Sequence, residues 1–522
     1  METCRGDAGR GPGGVAALPG GSVQAVTGRS PRIASGADDA EGADDGHADH
    51  AGHAGLLAAV HRRWEEEVLP ALVEYARIPC LSPDFDERWE ERGHLAAAAS
   101  LLRSWAAGRA IGGVTAEVLG GAGRTPLILV DAPATGSSSG PVLVYGHLDK
   151  QPPLGAWRDG LGPFTPVREG DRLYGRGTGD DGYAIFAAMT AIELLDTAAL
   201  PRPRVVVLVE ASEESGSPDL PAHLADVAGR LGHPDLVVCL DSGCLSYDRL
   251  WLTSSLRGNL VASVSVEVLT EGVHSGSAGG IVPTSFRLLR VLLDRLEDPV
   301  TGEVKLAALH PCAEVPPSSP PPGWHAAAVF PVVEGLELEG ASDGERLERR
   351  AWRPSLAVTG MDGIPAVRDG GNVLRPFTTA KISLRLPPTV DAESAKDAVE
   401  AALVADPPAG ARVRVRFDAP ATGWAAPPLE SWVAEAFAQA SEELFGEAPG
   451  ELGEGGTIPF LAMLGERYPG VPLVATGVLG PGSNAHGPNE FLHLPMAEAV
   501  TVATARLIRA AEARSSAGRG LA

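Results

Sequence analysis

The chain has 522 residues, long for one hydrophobic core, and its 67 acidic against 43 basic residues leave a formal charge of −24, which excludes the basic footprint a nucleic-acid backbone requires. No apolar stretch approaches the roughly 18 residues of a membrane-spanning helix. The five cysteines (Cys4, Cys80, Cys239, Cys244 and Cys312) are few, odd in number and without paired spacing, so neither a disulfide framework nor a zinc ribbon is expected and a reducing cytoplasm fits best.

Residues 1–53 are rich in Gly, Ala, Asp and Ser, lack aromatic residues and carry the run DDAEGADDGHADH. Such a segment cannot bury enough apolar surface to offset its ordering entropy, so a disordered tail is expected. It also lacks the apolar core of a secretory signal peptide. Helical periodicity begins near Leu56 in LLAAVHRRWEEEVLPALVEYARI and is interrupted at Pro70.

Four short apolar runs then end in polar, metal-capable residues. PVLVYGHLD stops at Gly146 and delivers His147 and Asp149; a run of this kind predicts a strand buried on both faces of a parallel sheet. Asp149, two residues on, lies on the same side of an extended chain and can accept from the second ring nitrogen of His147. In LYGRGTGDDGYAIFAAMTAIELL, glycines 175, 177 and 179 precede a helix starting near Gly182, which sets Asp180 and Asp181 at a helix N-terminus that favours negative charge. A Gly-rich loop before a helix also raises phosphate binding, which the absence of GxxxxGK(S/T) disfavours. RVVVLVEASEESGS ends in adjacent Glu213 and Glu214, which repel unless a cation or a raised pKa accompanies them. DLVVCLDSG puts Asp241 at a further strand end, with Cys239 inside the strand as a small hydrophobe. A last strand-like run, VPLVATG, leads to a Gly-, Pro- and Asn-rich loop with His486, Asn489 and Glu490.

Each fragment alone has an ordinary explanation as a surface histidine, an N-cap or an exposed glutamate pair. Together, His147, Asp180, Glu214, Asp241 and His486, with Glu213 to spare, match a two-metal hydrolytic centre at the carboxyl edge of an open α/β sheet.

Between 256 and 425 the pattern changes. GNLVASVSVEVL and TTAKISLRLPP alternate like half-buried strands, and VPTSFRLLRVLLDRLED has helical spacing. An α+β insertion is expected there, splitting an α/β catalytic domain, a mostly parallel mixed sheet flanked by helices, into residues 54–255 and 426–522. The Pro-rich stretch Pro311 to Trp324 and the acidic stretch Glu334 to Arg350 read as surface loops.

The motifs GHLD (146–149), GRGTGDDG (175–182), EASEESGS (210–217), Asp241, VHSGSAGG (273–280) and NAHGPNE (484–490) resemble, in order and spacing, the co-catalytic zinc metallopeptidases: cytosolic non-specific dipeptidases, carnosinases, aminoacylases and glutamate-releasing carboxypeptidases. The resemblance implies that His147 and Asp241 bind one ion, Glu214 and His486 the other, and that Asp180 bridges them through a residue joined to Asp181 by a cis peptide bond. It further implies Glu213 as general base and then acid towards a water shared by two divalent ions, Asp149 as partner of His147, and a lid insertion that also dimerises. His274 would then reach a neighbour's active site to stabilise the oxyanion, and Arg385, Gly456 and Thr457 would hold the substrate's terminal carboxylate. Zinc suits the donor set, and manganese or cobalt is also compatible. One departure stands out: where the family often has lysine after the paired aspartates, this chain has Gly182. The lid's length and VHSGSAGG resemble the dipeptidase branch of that family more than the shorter-lidded aminoacylases, which implies a dipeptidase acting on short peptides with a free C-terminus and a homodimer formed through the lid. An N-acyl- or succinyl-amino-acid amidohydrolase is the alternative, and a catalytically silent binding protein of the same fold a remote one.

Overall fold

The run Val205–Glu210 is buried along its whole length because its alternate residues face opposite sides of a sheet covered on both. Val205, Val207 and Val209 join one apolar core, and Val206 and Leu208 join another. Val142, Val144 and Leu143, Tyr145 divide in the same way. Two covered faces are why these strands read as unbroken apolar runs, and each fully buried Val or Leu contributes roughly 1.5–3 kcal/mol.

The computed structural model describes residues 47–137, 140–311, 315–316 and 319–519. Its central sheet comprises β1 (Thr115–Gly121), β2 (Arg124–Ala132), β3 (Val142–His147), β4 (Val205–Glu210), β5 (Leu236–Cys239) and β6 (Leu473–Ala475), ordered β1-β2-β4-β3-β5-β6. The four strands β4, β3, β5 and β6 are parallel, and the β1–β2 hairpin joins antiparallel through β2 and β4. Helices Ala184–Thr197 and Leu494–Arg519 carry the first core, and Leu220–Leu231 and Pro459–Arg467 the second. The polar residues that follow β3, β4, β5 and β6 thus emerge at one edge.

The disordered tail expected over 1–53 lies outside the described residues except for 47–53, which open the helix His47–Arg63. At Pro70 the helical path is not broken. A single π-turn, Trp64–Val68, hands over to the helix Leu69–Ala76 with the proline at its second residue, so the irregularity falls in the turn just before the proline.

The insertion holds a four-stranded antiparallel sheet, in the order Ser355–Asp362, Phe377–Leu386, Gly258–Glu267, Arg412–Phe417. Gly258–Glu267 alternates buried and half-buried at every step, and its buried side packs on helices Ser285–Leu293 and Ala392–Val404 in a third core. The chain leaves through Trp251–Leu256 and returns through Trp424–Ala425, which pair directly: Trp424 faces Leu256 and Ala425 faces Ser255. The acidic stretch read as a loop contains a helix, Asp343–Trp352. Ser342 caps it by accepting from Glu345 N–H at 3.2 Å, and Leu347 with Trp324 and Ala326 packs into the first core of the catalytic body. Among the described residues no helix is long and apolar enough to cross a membrane.

Candidate metal centre

Strand termination sets the donors. β3 ends on His147 and β5 two residues short of Asp241, and a 3₁₀ turn Glu213–Ser215 follows β4. Asp180 lies in the turn Thr178–Gly182 ahead of helix Ala184–Thr197, where the Asp180–Asp181 peptide is cis. His486 lies in the loop after β6 with φ +64°.

Asp180 is the common member. Its Oδ1 lies 3.2 Å from His147 Nε2 and its Oδ2 3.0 Å from His486 Nε2. His147 Nε2 is also 3.8 Å from Asp241 Oδ1, and His486 Nε2 is 3.2 Å from Glu214 Oε2. Two donor triads result, His147–Asp180–Asp241 and Asp180–Glu214–His486, each with its ligand atoms within 4.8 Å of one another. All five expected ligands are therefore brought together.

Electrostatics fit a cation at both triads. Burial and the nearby Asp180 and Glu214 carboxylates, opposed by His147 and His486, leave Asp241 at about 7. Burial also pushes Glu213 well above the usual carboxylate range, aided by Asp241, Glu214 and Asp149 and opposed by His147. Asp180 escapes this: burial would raise it, but the imidazoles of His147 and His486 hold it below the ordinary range. Asp181 is fully buried, and burial with the Asp241 and Asp180 charges raises it well above its usual value. Its Oδ2 accepts the backbone N–H of His147 at 3.2 Å, while Oδ1 has no partner. So many carboxylates gathered on two imidazoles are the donor chemistry of a paired divalent-ion site.

Asp149 has partners besides His147. Its carboxylate accepts the backbone N–H groups of Glu213 (3.1 Å) and Glu214 (3.0 Å), the free donors of a turn start. The oxygen nearest His147 Nδ1 is the Asp149 carbonyl at 3.1 Å, and the carboxylate lies at 3.5 Å. Asp149 thus aligns the glutamate pair as well as the histidine.

Several contributors carried no sequence signal of their own. Gln151 Nε2 donates to Glu214 Oε2 at 2.7 Å. Lys150, fully buried, donates to the carbonyls of Tyr75 and Ala76, the last residues of helix Leu69–Ala76, and to that of Ile78 just beyond it. It supplies a buried cation in the region where Gly182 departs from the family pattern, since its chain packs against Gly177. The string Gly177–Gly182 has GxGxxG spacing, yet a phosphate has no access to its amides: Glu490 Oε1 already accepts from Gly177 N–H at 2.9 Å and Gly179 N–H at 3.4 Å.

A cavity of about 1840 Å³ opens between the body and the insertion, lined by Asp180, Glu213, Glu214, Asp241 and His486 and also by Arg385, Gly456 and Thr457. Arg385 Nη1 donates to Thr457 Oγ1 at 3.3 Å, and that hydroxyl donates to the Arg257 carbonyl at 2.5 Å. Nothing lies within 4 Å of a β-carbon built on Gly456, which leaves open wall there. His274 is not brought in: it is exposed on the insertion, where its Nδ1 accepts from Gly276 N–H at 3.1 Å.

Comparison with known proteins agrees with this geometry. Residues 143–511 match the family described as Peptidase family M20/M25/M40. A cysteinylglycine-S-conjugate dipeptidase of Corynebacterium striatum is 27% identical over 367 residues, covering 69% of this chain and 79% of that one. The human Beta-Ala-His dipeptidase is 25% identical over 388 residues, covering 70% and 74%. The solved structure of the di-peptidase Dug1p from Saccharomyces cerevisiae shares the fold with a TM-score of 0.72 at 21% identity, over 89% of this chain and 99% of that one.

Proposed function

The chain belongs to Peptidase family M20/M25/M40, and from that premise we propose that it is a metal-dependent dipeptidase that hydrolyses dipeptides and other short peptides with a free C-terminus. The observation that carries the reading is the pair of triads sharing Asp180. Named relatives that cleave Cys-Gly conjugates and Beta-Ala-His support the substrate class.

In this reading His147 and Asp241 would hold one ion and Glu214 and His486 the other, with Asp180 available to both, and zinc is the metal the donor set suits best. Such ions supply Lewis-acid polarisation of the scissile carbonyl and a water whose pKa falls towards about 7. Glu213 lines the same cavity as the five donors, and in this reading it takes the water's proton and returns it to the leaving amine. Its raised affinity for protons suits that second step. Arg385, with Thr457 and Gly456, binds the terminal carboxylate by charge-assisted hydrogen bonds. That contact fixes which peptide bond reaches Glu213.

Completion by a second copy is part of the proposal. His274, exposed and outside the lining of the cavity in its own chain, would serve the partner's oxyanion, and the insertion's sheet offers an edge strand, Ser355–Asp362, with Val358 and Met361 exposed. Sedimentation analysis should find a dimer. A cytoplasmic setting is supported by Cys80, Cys239 and Cys244, all buried and unpaired.

The test is a panel of free dipeptides, including Cys-Gly and Beta-Ala-His, against N-acetyl amino acids, with zinc-, manganese- and cobalt-loaded protein. Turnover of the dipeptides alone is expected. Turnover of the acylated amino acids alone would replace this reading with a deacylase.

A further inference from the structure

The two donor triads are built on unequal foundations. His147 and Asp241 stand at the ends of neighbouring parallel strands and are almost completely buried, 1% and 8% exposed. His486 hangs from a loop, its side chain 54% exposed and its backbone in the left-handed region that a residue with a β-carbon rarely adopts.

One buried ion pair fastens that loop. Arg176 is 1% exposed and Glu490 0%. The guanidinium donates from Nη1 to Glu490 Oε2 at 2.6 Å and from Nη2 to the carbonyls of His486 (3.0 Å), Gly487 (2.8 Å) and Pro152 (3.3 Å). Glu490 in turn receives Gly177 N–H and Gly179 N–H on its other oxygen, and its carbonyl receives Gly175 N–H at 3.0 Å. The loop bearing His486 and the loop bearing Asp180, distant in sequence, are therefore tied through the hydrogen bonds of this one Arg–Glu pair, beside the strand pairing of Tyr174 with Phe491.

We infer that Arg176 and Glu490 are positioning residues that selectively assemble the Asp180–Glu214–His486 metal position, making it the weaker and later-filled of the two. The planar fork of Arg176 serves two successive carbonyls and a carboxylate together, a geometry that a lysine ammonium cannot reproduce. The strand-end triad shares only Asp180 with this arrangement. The inference rests on the two-ion reading above.

The test is calorimetric titration of the metal-free full chain with Zn²⁺, repeated with Co²⁺ while visible absorption is followed, on wild type, Arg176→Lys and Glu490→Gln. Wild type is expected to bind two ions with resolved affinities. Each variant should keep the tighter site within about threefold and weaken the second by roughly 10- to 100-fold, the range for losing a group behind a metal ligand, with the second increment of Co²⁺ absorption lost. Glu490→Gln keeps shape and amide acceptor, so it remains informative where Arg176→Lys fails to fold. Equal weakening of both sites, unchanged affinities in both variants, or a wild type with two indistinguishable sites would each overturn the inference. A wild type that binds a single ion would instead overturn the two-ion reading.

Discussion

The ring of Tyr75 fills the space in which a β-carbon on Gly182 would be built: Tyr75 Cδ1 would lie 2.9 Å away, and Cε1 nearer still. The ring cannot withdraw freely, because its hydroxyl donates to the Leu148 carbonyl at 2.9 Å, next to His147. Gly182→Ala should therefore destabilise the protein by about 1–3 kcal/mol, as overpacking of a closed core does, and Gly182→Lys by more. Urea unfolding measures this. A loss under about 0.5 kcal/mol, within the range of an ordinary surface change, would mean that the ring yields.

Asp180 gives one oxygen to each triad, so its replacement should act on both metal positions, whereas Asp241 serves one. Metal content after dialysis should fall from about two ions per chain to well below one in Asp180→Ala and to about one in Asp241→Ala. Equal residual content in the two variants would contradict a bridging carboxylate.

Glu213 touches no imidazole at ion-pair distance in either triad, so Glu213→Gln should retain metal content. Loss of the proton carrier should lower turnover about 10²- to 10⁴-fold. Steady-state assays on the metal-loaded variant with the preferred dipeptide check this, and activity within a few fold of wild type removes Glu213 from the chemical step.

Glu210 makes stability depend on pH. It is 1% exposed and accepts from the hydroxyls of Tyr145 (2.7 Å), Ser217 (2.8 Å) and Ser212 (3.2 Å), and burial raises it from 4.5 to about 7. Between those values the folded chain keeps a proton that the unfolded chain has released. This group's contribution is therefore complete below pH 4.5 and is lost as pH rises through about 7, a change of about 3 kcal/mol. Unfolding free energies measured between pH 5 and pH 8 should show this decline in wild type and lack it in Glu210→Gln. Parallel curves would show that Glu210 is ionised throughout.

The strand ends that hold the donors were legible because a doubly covered strand must be apolar along its length, so the first polar residues after β3 and β5 stand out. The insertion's alternation at Gly258–Glu267 was legible for the complementary reason, one face being covered and the other only half so. The fastening of His486 was not legible. Arg176 and Glu490 meet only because the sheet order brings two distant loops side by side, and nothing in either local sequence encodes that meeting. The helix Asp343–Trp352 was missed although Ser342 and Glu345 have capping-box spacing, because the charges around them outweigh its two buried residues, Leu347 and Ala351.

Trp251–Leu256 lies between Trp424–Ala425 and Gly450–Glu454 in one small sheet, and the helix Asp343–Trp352 reaches that same sheet through Arg350, which donates to Glu454. Departure, return and side support of the insertion thus share a single hinge line. A rotation about it would change how far Arg385 stands from Asp180 while leaving the five donors on their own strands and loops. Peptide length would accordingly be gauged by how far the flap can close, and a chain too long to let it shut would bind without being cut.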